Sequence, residues 1–116
     1  MSPKTLLVGI VGPCGAGKST LAEGLKSNGY TARAIAQEHS FVPDMWQRLT
    51  APDILVFLQA SCQVGALRRN MSWTLKEWQE QQHRLRHARQ CAGIYIDTDN
   101  LDIPGVLSSV LARLPA

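Results

Sequence analysis

Two short runs of almost unbroken apolar residues stand out along the chain, Thr5–Val11 (Thr-Leu-Leu-Val-Gly-Ile-Val) and Ile54–Leu58 (Ile-Leu-Val-Phe-Leu), and Ile94–Asp97 (Ile-Tyr-Ile-Asp) is a third strand candidate. Runs this short, without polar alternation, fit strands covered on both faces, as in a parallel sheet. Thr31–Ala36 is a weaker fourth candidate. Between the runs the spacing turns helical. Leu21, Ala22 and Leu25 fall on one face from Lys18 to about Lys26, and Asn28-Gly29 supplies the stop. Ser61–Arg69 reads as a further helix, followed by a break at Asn70–Trp73. Thr74–Ala92 reads as the longest helix, with Leu75, Trp78, Leu85, Ala88 and Ala92 on one stripe and Ser72 or Thr74 as its cap. Gly93 ends it, and Asp102 is placed to cap a last helix through Leu114. His39–Thr50 reads as a loop or short helix.

Strands alternating with helices predict one α/β domain over residues 1–116: three layers, with a short parallel sheet of about four strands flanked by helices. Ligands of such sheets bind beyond the carboxyl ends of the strands. The loops at Gly12, Gln37–His39, Gln59–Ser61 and Thr98–Asn100 should therefore gather there.

Composition narrows the class. With 116 residues, 45% of them hydrophobic and 18% charged, the chain suits one globular core. Its apolar runs are too short to span a bilayer, and the first ends in a glycine-rich turn rather than a cleavage site. Cys14, Cys62 and Cys91 are odd in number and lack CxxC spacing, which fits a reducing cytoplasm better than a disulfide framework. Net charge is +3, with Arg68, Arg69, Lys76, Arg84, Arg86 and Arg89 set against only Glu77 and Glu80 in one segment. Such a segment attracts phosphate. It lacks the interleaved aromatics of a single-stranded nucleic-acid binder. His83 and His87 share a helix face, but no third zinc ligand is evident and they read as a solvated pair.

The chemistry concentrates in Gly12-Pro13-Cys14-Gly15-Ala16-Gly17-Lys18-Ser19, which fits G-x-x-x-x-G-K-[ST]. Glycines let successive N–H groups curl around a phosphate chain. The helix beginning at Lys18 adds unpaired N–H groups and the positive end of its dipole. Lys18 brings a mobile charge, and the Ser19 hydroxyl is a hard oxygen ligand for Mg²⁺.

On this motif the chain resembles the P-loop kinases, in particular the nucleoside and nucleotide monophosphate kinase-like group. Pro52–Ser61 is similar to the Pro-Asp-apolar strand of thymidylate-kinase-like and deoxynucleoside-kinase-like proteins. Ile94–Leu101 and its following helix are similar to the last strand and helix of adenylylsulfate-kinase-like chains. The resemblance implies a P-loop NTPase fold that binds ATP (or ADP) with Mg²⁺ through Gly12–Thr20, and transfer of phosphate to a small nucleoside- or nucleotide-like acceptor. It implies Glu38 as base or metal orienter, and lid arginines as phosphoryl clamps: Arg69 and Arg89, with Arg68 and Arg86 as further candidates. It places the acceptor near His39, Trp46 and Arg48, with Trp46 stacking on a flat substrate and Arg48 pairing with a phosphate. Arg69 is also suited to stacking on the adenine. Lys18 stabilises the transferring group.

The pattern departs from that group in two ways. Gln59 stands where the Walker B carboxylate is usual, and the acceptor insert is only about fourteen residues. A second reading therefore stays open, a non-catalytic ATP/ADP sensor. A homodimer closing the site also stays open. No Asn-Lys-x-Asp guanine-reading motif is present.

Overall fold

The computed structural model describes residues 6–69 and 73–115, with no side chain described for Arg69. Four parallel strands form one sheet: β1 (Leu7–Val11), β2 (Thr31–Ala34), β3 (Ile54–Gln59) and β4 (Ile94–Asp97), in the order β2-β1-β3-β4. Among the described residues six helices accompany them: α1 (Lys18–Ser27), α2 (Met45–Leu49), α3 (Cys62–Arg69), α4 (Leu75–Arg84), α5 (Arg86–Cys91) and α6 (Ile103–Leu111). A 3-10 turn, Gln37–His39, follows β2. The expected α/β class and four-stranded parallel sheet flanked by helices are present.

Alternation within the strands builds two cores. Val8 and Ile10 of β1, Val56 and Leu58 of β3, and Ile94 and Ile96 of β4 face α1 and α6, meeting Leu21, Leu25, Val106 and Val110. Val11, Leu55 and Phe57 face the other way and meet Trp46 of α2, Leu85 and Ala88. Strand β1 is the pivot. The chain leaves it toward β2 on one side and later returns on the other side as β3. That reversal opens a crevice at the carboxyl end of β1, where Gly12–Ser19 lies.

Thr74 and Asp102 are caps, as the sequence suggests. The Thr74 hydroxyl accepts from the Glu77 N–H and Glu77 reaches back, a capping box. Asp102 accepts from the Gly105 N–H at 2.8 Å. The single long helix expected over Thr74–Ala92 is instead two, α4 and α5, parted at Leu85. The Leu85 N–H is shared between the Gln81 and Gln82 carbonyls, a three-centre bond of the kind found at helix ends. No glycine or proline marks the break. The inward positions of the pair are Gln81, Leu85 and Ala88, whereas Leu75 is 58% exposed. His83 and His87 thus belong to different helices. Asn70–Ser72 of the expected break lie outside the described residues. No helix among the described residues is long and apolar enough to cross a membrane.

Leu58 is fully buried on the α1 and α6 side. Leu58→Ala should lower stability by about 2–5 kcal/mol, read from urea unfolding followed by circular dichroism. A loss below about 0.5 kcal/mol, the range of ordinary surface substitutions, would show that this face is not packed as described.

Candidate functional site

The loop after β1 is shaped by what crowds it. Gly12 has φ +158°, and a Cβ there would collide with the Leu58 carbonyl oxygen. Gly15, at φ +83°, lies so close to α3 that a Cβ would sit 2.6 Å from the Gly65 Cα. The loop is therefore held between the end of β3 and the first turns of α3, with space for main chain only. Helix α1 then starts at Lys18, and its first internal bond runs from the Leu21 N–H to the Gly17 carbonyl. The N–H groups of Lys18, Ser19 and Thr20 are left by helix geometry facing the crevice side. Ser19 and Thr20 are both exposed there.

Lys18 folds back over the loop. Its ammonium donates to the Gly12 carbonyl at 2.9 Å and the Pro13 carbonyl at 3.2 Å. It also pairs with Glu38 Oε2 at 2.7 Å, with the two side chains 12% and 5% exposed. All three ammonium hydrogens thus have acceptors. Glu38 comes from the 3-10 turn after β2 and reaches Lys18 because β2 lies directly beside β1. Its other oxygen, Oε1, is buried with no hydrogen-bond partner among the described residues.

His39 and Cys14 complete the cluster. His39 Nε2 stands 3.9 Å from Glu38 Oε2 and 3.6 Å from Cys14 Sγ. One ligand atom from each of Cys14, Glu38 and His39 lies within 4.8 Å of the others. From the opposite side Gln81 of α4 grips the loop. Its Oε1 accepts from the Cys14 N–H at 2.9 Å, and its Nε2 donates to Cys14 Sγ at 3.2 Å.

Two clefts flank this centre. One, about 660 Å³, runs beside Gly15–Gly17 and Thr20 and is walled by Leu101, Pro104 and Leu107, with Arg68 on its rim. Arg68 is fixed there, donating to the Gly15 carbonyl at 3.3 Å, to Thr98 Oγ1 at 2.7 Å, and to the Thr98 carbonyl. The other cleft, about 590 Å³ and more open, is lined by Phe41, Lys76, His83, Arg84 and Arg86. Arg84 lies over the Phe41 ring at 4.4 Å and donates to the Glu38 carbonyl at 3.3 Å.

The structure thus brings Lys18, Glu38, His39 and the loop together. Arg68 also reaches the loop, through the Gly15 carbonyl, whereas Trp46 and Arg48 are engaged elsewhere. Trp46, expected to stack on a substrate, is 5% exposed in the core, and its indole N–H donates to His87 Nδ1 at 3.1 Å. The apolar ring was worth more against Leu85 and Phe57 than at the surface, so it has no free face for a flat ligand. Arg48, expected to bind phosphate, instead donates through Nε to both carboxylate oxygens of Asp44, at 2.9 and 3.0 Å. The guanidinium's hydrogen bond is the main reason the Asp44 carboxyl lies below its ordinary range. Arg89 donates to Gln82 at 2.8 Å and lies over the Phe57 ring. The Arg69 side chain lies outside the described residues.

Gln59, in place of a carboxylate at the end of β3, is locked in a reciprocal amide pair with Gln82, at 2.8 and 3.0 Å. Its amide is therefore engaged and not held ready for a metal-bound water. The sequence does not single out Gln81 or Gly65, and it marks Thr98 only as part of the Thr98–Asn100 loop. Only burial at a helix-stripe position, at Gln81, could have signalled one of them.

Gln81→Leu keeps the volume but leaves the Cys14 N–H buried without an acceptor. Stability should fall by about 1–3 kcal/mol, and the Cys14 amide should exchange faster in hydrogen-exchange measurements. Unchanged exchange would remove Gln81 from its place in holding the loop. No family model matches the chain, and no curated protein matches it either.

Proposed function

We propose that the chain is a P-loop nucleotide-binding protein and acts as a small ATP-dependent kinase. The observation that carries this reading is the ammonium of Lys18, folded over a glycine loop at a helix N-terminus and facing the buried carboxylate Glu38 at 2.7 Å. That arrangement sets donors for a phosphate chain beside a group able to act on an acceptor hydroxyl. The 660 Å³ cleft continues from the loop, and its apolar wall of Leu101, Pro104 and Leu107 suits the flat base of a nucleotide. The guanidinium of Arg68 at its rim suits stacking or charge contact.

The donor set fits Mg²⁺. The Ser19 hydroxyl stands at the start of α1, and Glu38 Oε1 is a buried oxygen without a partner. Magnesium prefers such oxygen ligands, keeping waters and phosphate oxygens for its remaining positions. When bound it would neutralise charge on the phosphate chain. In this reading the loop amides and Lys18 orient the phosphates. Glu38, held by the 3-10 turn, receives the acceptor's proton or orients the metal. The second cleft, where Lys76, Arg84 and Arg86 outnumber Glu80 about an exposed Phe41, is linked to Glu38 through the Arg84 bond to its carbonyl and suits an anionic, partly flat acceptor of small size.

A second reading, a nucleotide-binding module without turnover, is favoured by the Gln59–Gln82 amide pair where kinases usually carry a carboxylate.

Calorimetry with ATP and Mg²⁺ tests binding. Lys18→Ala should raise the ATP Kd roughly tenfold to hundredfold, the worth of a charge-assisted hydrogen bond of about 1.5–3 kcal/mol. Absence of any nucleotide uptake by the unaltered chain, or uptake indifferent to Lys18→Ala, defeats the whole reading. An acceptor screen with nucleosides, nucleotides and sugars then separates kinase from module. Glu38→Gln should slow phosphoryl transfer by about 100-fold or more, the scale of general acid–base catalysis, with ATP affinity changed less than about tenfold. Tight binding without transfer to any acceptor selects the module.

A further inference from the structure

We infer that Cys14, Glu38 and His39 form a binding site for a soft divalent cation such as Zn²⁺ in the nucleotide-free protein. The three ligand types are sulfur, carboxylate oxygen and imidazole nitrogen, the set that zinc accepts and magnesium does not. Zinc bonds of about 2.0–2.3 Å in a tetrahedron set neighbouring ligands about 3.3–3.7 Å apart. Cys14 Sγ and His39 Nε2 are already 3.6 Å apart, and His39 Nε2 and Glu38 Oε2 are 3.9 Å apart. All three ligand atoms fall within 4.8 Å of one another. The widest separation must close by roughly an ångström, shared between the side chains, and a fourth position stays open for water.

A second observation points to the same ligand. Glu38 is about nineteen-twentieths buried, and its Oε1 has no partner while Lys18 occupies Oε2. An unpaired buried carboxylate oxygen is costly; the 3.9 Å separation from His39 is to Oε2, and a cation shared by both oxygens of this carboxylate would also supply what Oε1 lacks. In the metal-bound state the Cys14 thiolate and the Glu38 carboxylate together outweigh the single ammonium of Lys18. Gln81 donates to Cys14 Sγ at 3.2 Å, the kind of outer contact that orients a metal-bound sulfur. As the Zn–S bond forms, the thiol proton passes to solvent. The ion would tie the glycine loop, through Cys14, to the turn after β2. Binding requires no nucleotide, so this site stands or falls apart from the kinase reading.

The test uses the full chain without nucleotide, titrated with Zn²⁺ against a chromophoric chelator and with Co²⁺ by absorption. One ion should bind at this cluster, and Co²⁺ should show a thiolate charge-transfer band. Cys14→Ser should abolish that band. His39→Gln should weaken Zn²⁺ binding by more than the roughly 10–100-fold that loss of an outer contact causes. The His39 side chain is 60% exposed, so its replacement does not threaten the fold. The background is the Cys91–His87 pair, whose Sγ and Nε2 are 3.7 Å apart, and Cys91→Ser should leave the Cys14-dependent signal in place. Binding unaffected by Cys14→Ser and His39→Gln, or a signal lost only with Cys91→Ser, overturns the proposal.

Discussion

An ammonium group left 12% exposed has to be answered by negative charge close by, and in this chain the answer comes from a different strand. Lys18 opens α1 after β1, whereas Glu38 follows β2. Their 2.7 Å contact requires β2 to lie directly against β1, with the carboxyl ends of both strands level. The observed register does this, pairing Ile10 with Ala34, and the Ile35 N–H extends the ladder to the Ile10 carbonyl. Removing either partner would leave a buried charge uncompensated, which is far more costly than the pair itself is stabilising. The pair therefore acts as a constraint on topology as well as a feature of the site.

The other side of the crevice is organised by amides instead of charges. Gln37 is fully buried, and each end of its side chain is satisfied: Nε2 donates to the Val42 and Arg84 carbonyls, and Oε1 accepts from the Trp46 N–H. It fastens the start of the β2–β3 insert to the end of α4. Gln81 fastens α4 to the loop, and Gln82 fastens it to the end of β3. Three neutral side chains thus seat one helix against three separate segments. Neutral amides make this possible because each carries both donor and acceptor, so burial needs no counter-charge. The same property explains why Gln59 is structurally well accommodated at a position where a carboxylate would face Gln82 with one fewer donor.

How much of this was legible beforehand depends on whether the signal was periodic. Continuous apolar runs mark β1 and β3, because strands covered on both faces have no polar alternation to confuse them, whereas β4 alternates, with Tyr95 and Asp97 exposed. The capping residues Thr74 and Asp102 were legible because a cap needs a particular side chain at a particular step. Lys18 and Glu38 were singled out, but their mutual contact was not, since nothing in spacing says that β2 borders β1. Trp46 was misjudged because an aromatic in a polar insert reads equally well as ligand platform or core anchor, and only packing against Leu85 decides. Arg48 was captured by Asp44, one helical turn away, a local pairing that i, i+4 spacing did offer. The glutamine contacts were invisible, since an amide's partners are set by three-dimensional neighbours and leave no repeat in the chain.

These elements combine into one electrostatic argument about the site. The three donors of Lys18 are already taken by two loop carbonyls and Glu38. An arriving phosphate must take at least one of those donors, and the only acceptor of comparable charge is Glu38. Once released, Glu38 would be a carboxylate inside the fold with both oxygens short of partners, since Oε1 has none even now. That state is tolerable only if another positive charge arrives with the phosphate. In the proposed reading, anion capture at the loop and cation capture at Glu38 would therefore be coupled through a single buried side chain. A hard ion brought in by phosphate oxygens would satisfy it from the Ser19 side, and a soft ion held by Cys14 and His39 would satisfy it from the other. The loop backbone is free to serve either, because Gly12 and Gly15 present no side chain toward the ends of β3 and α3 that confine it.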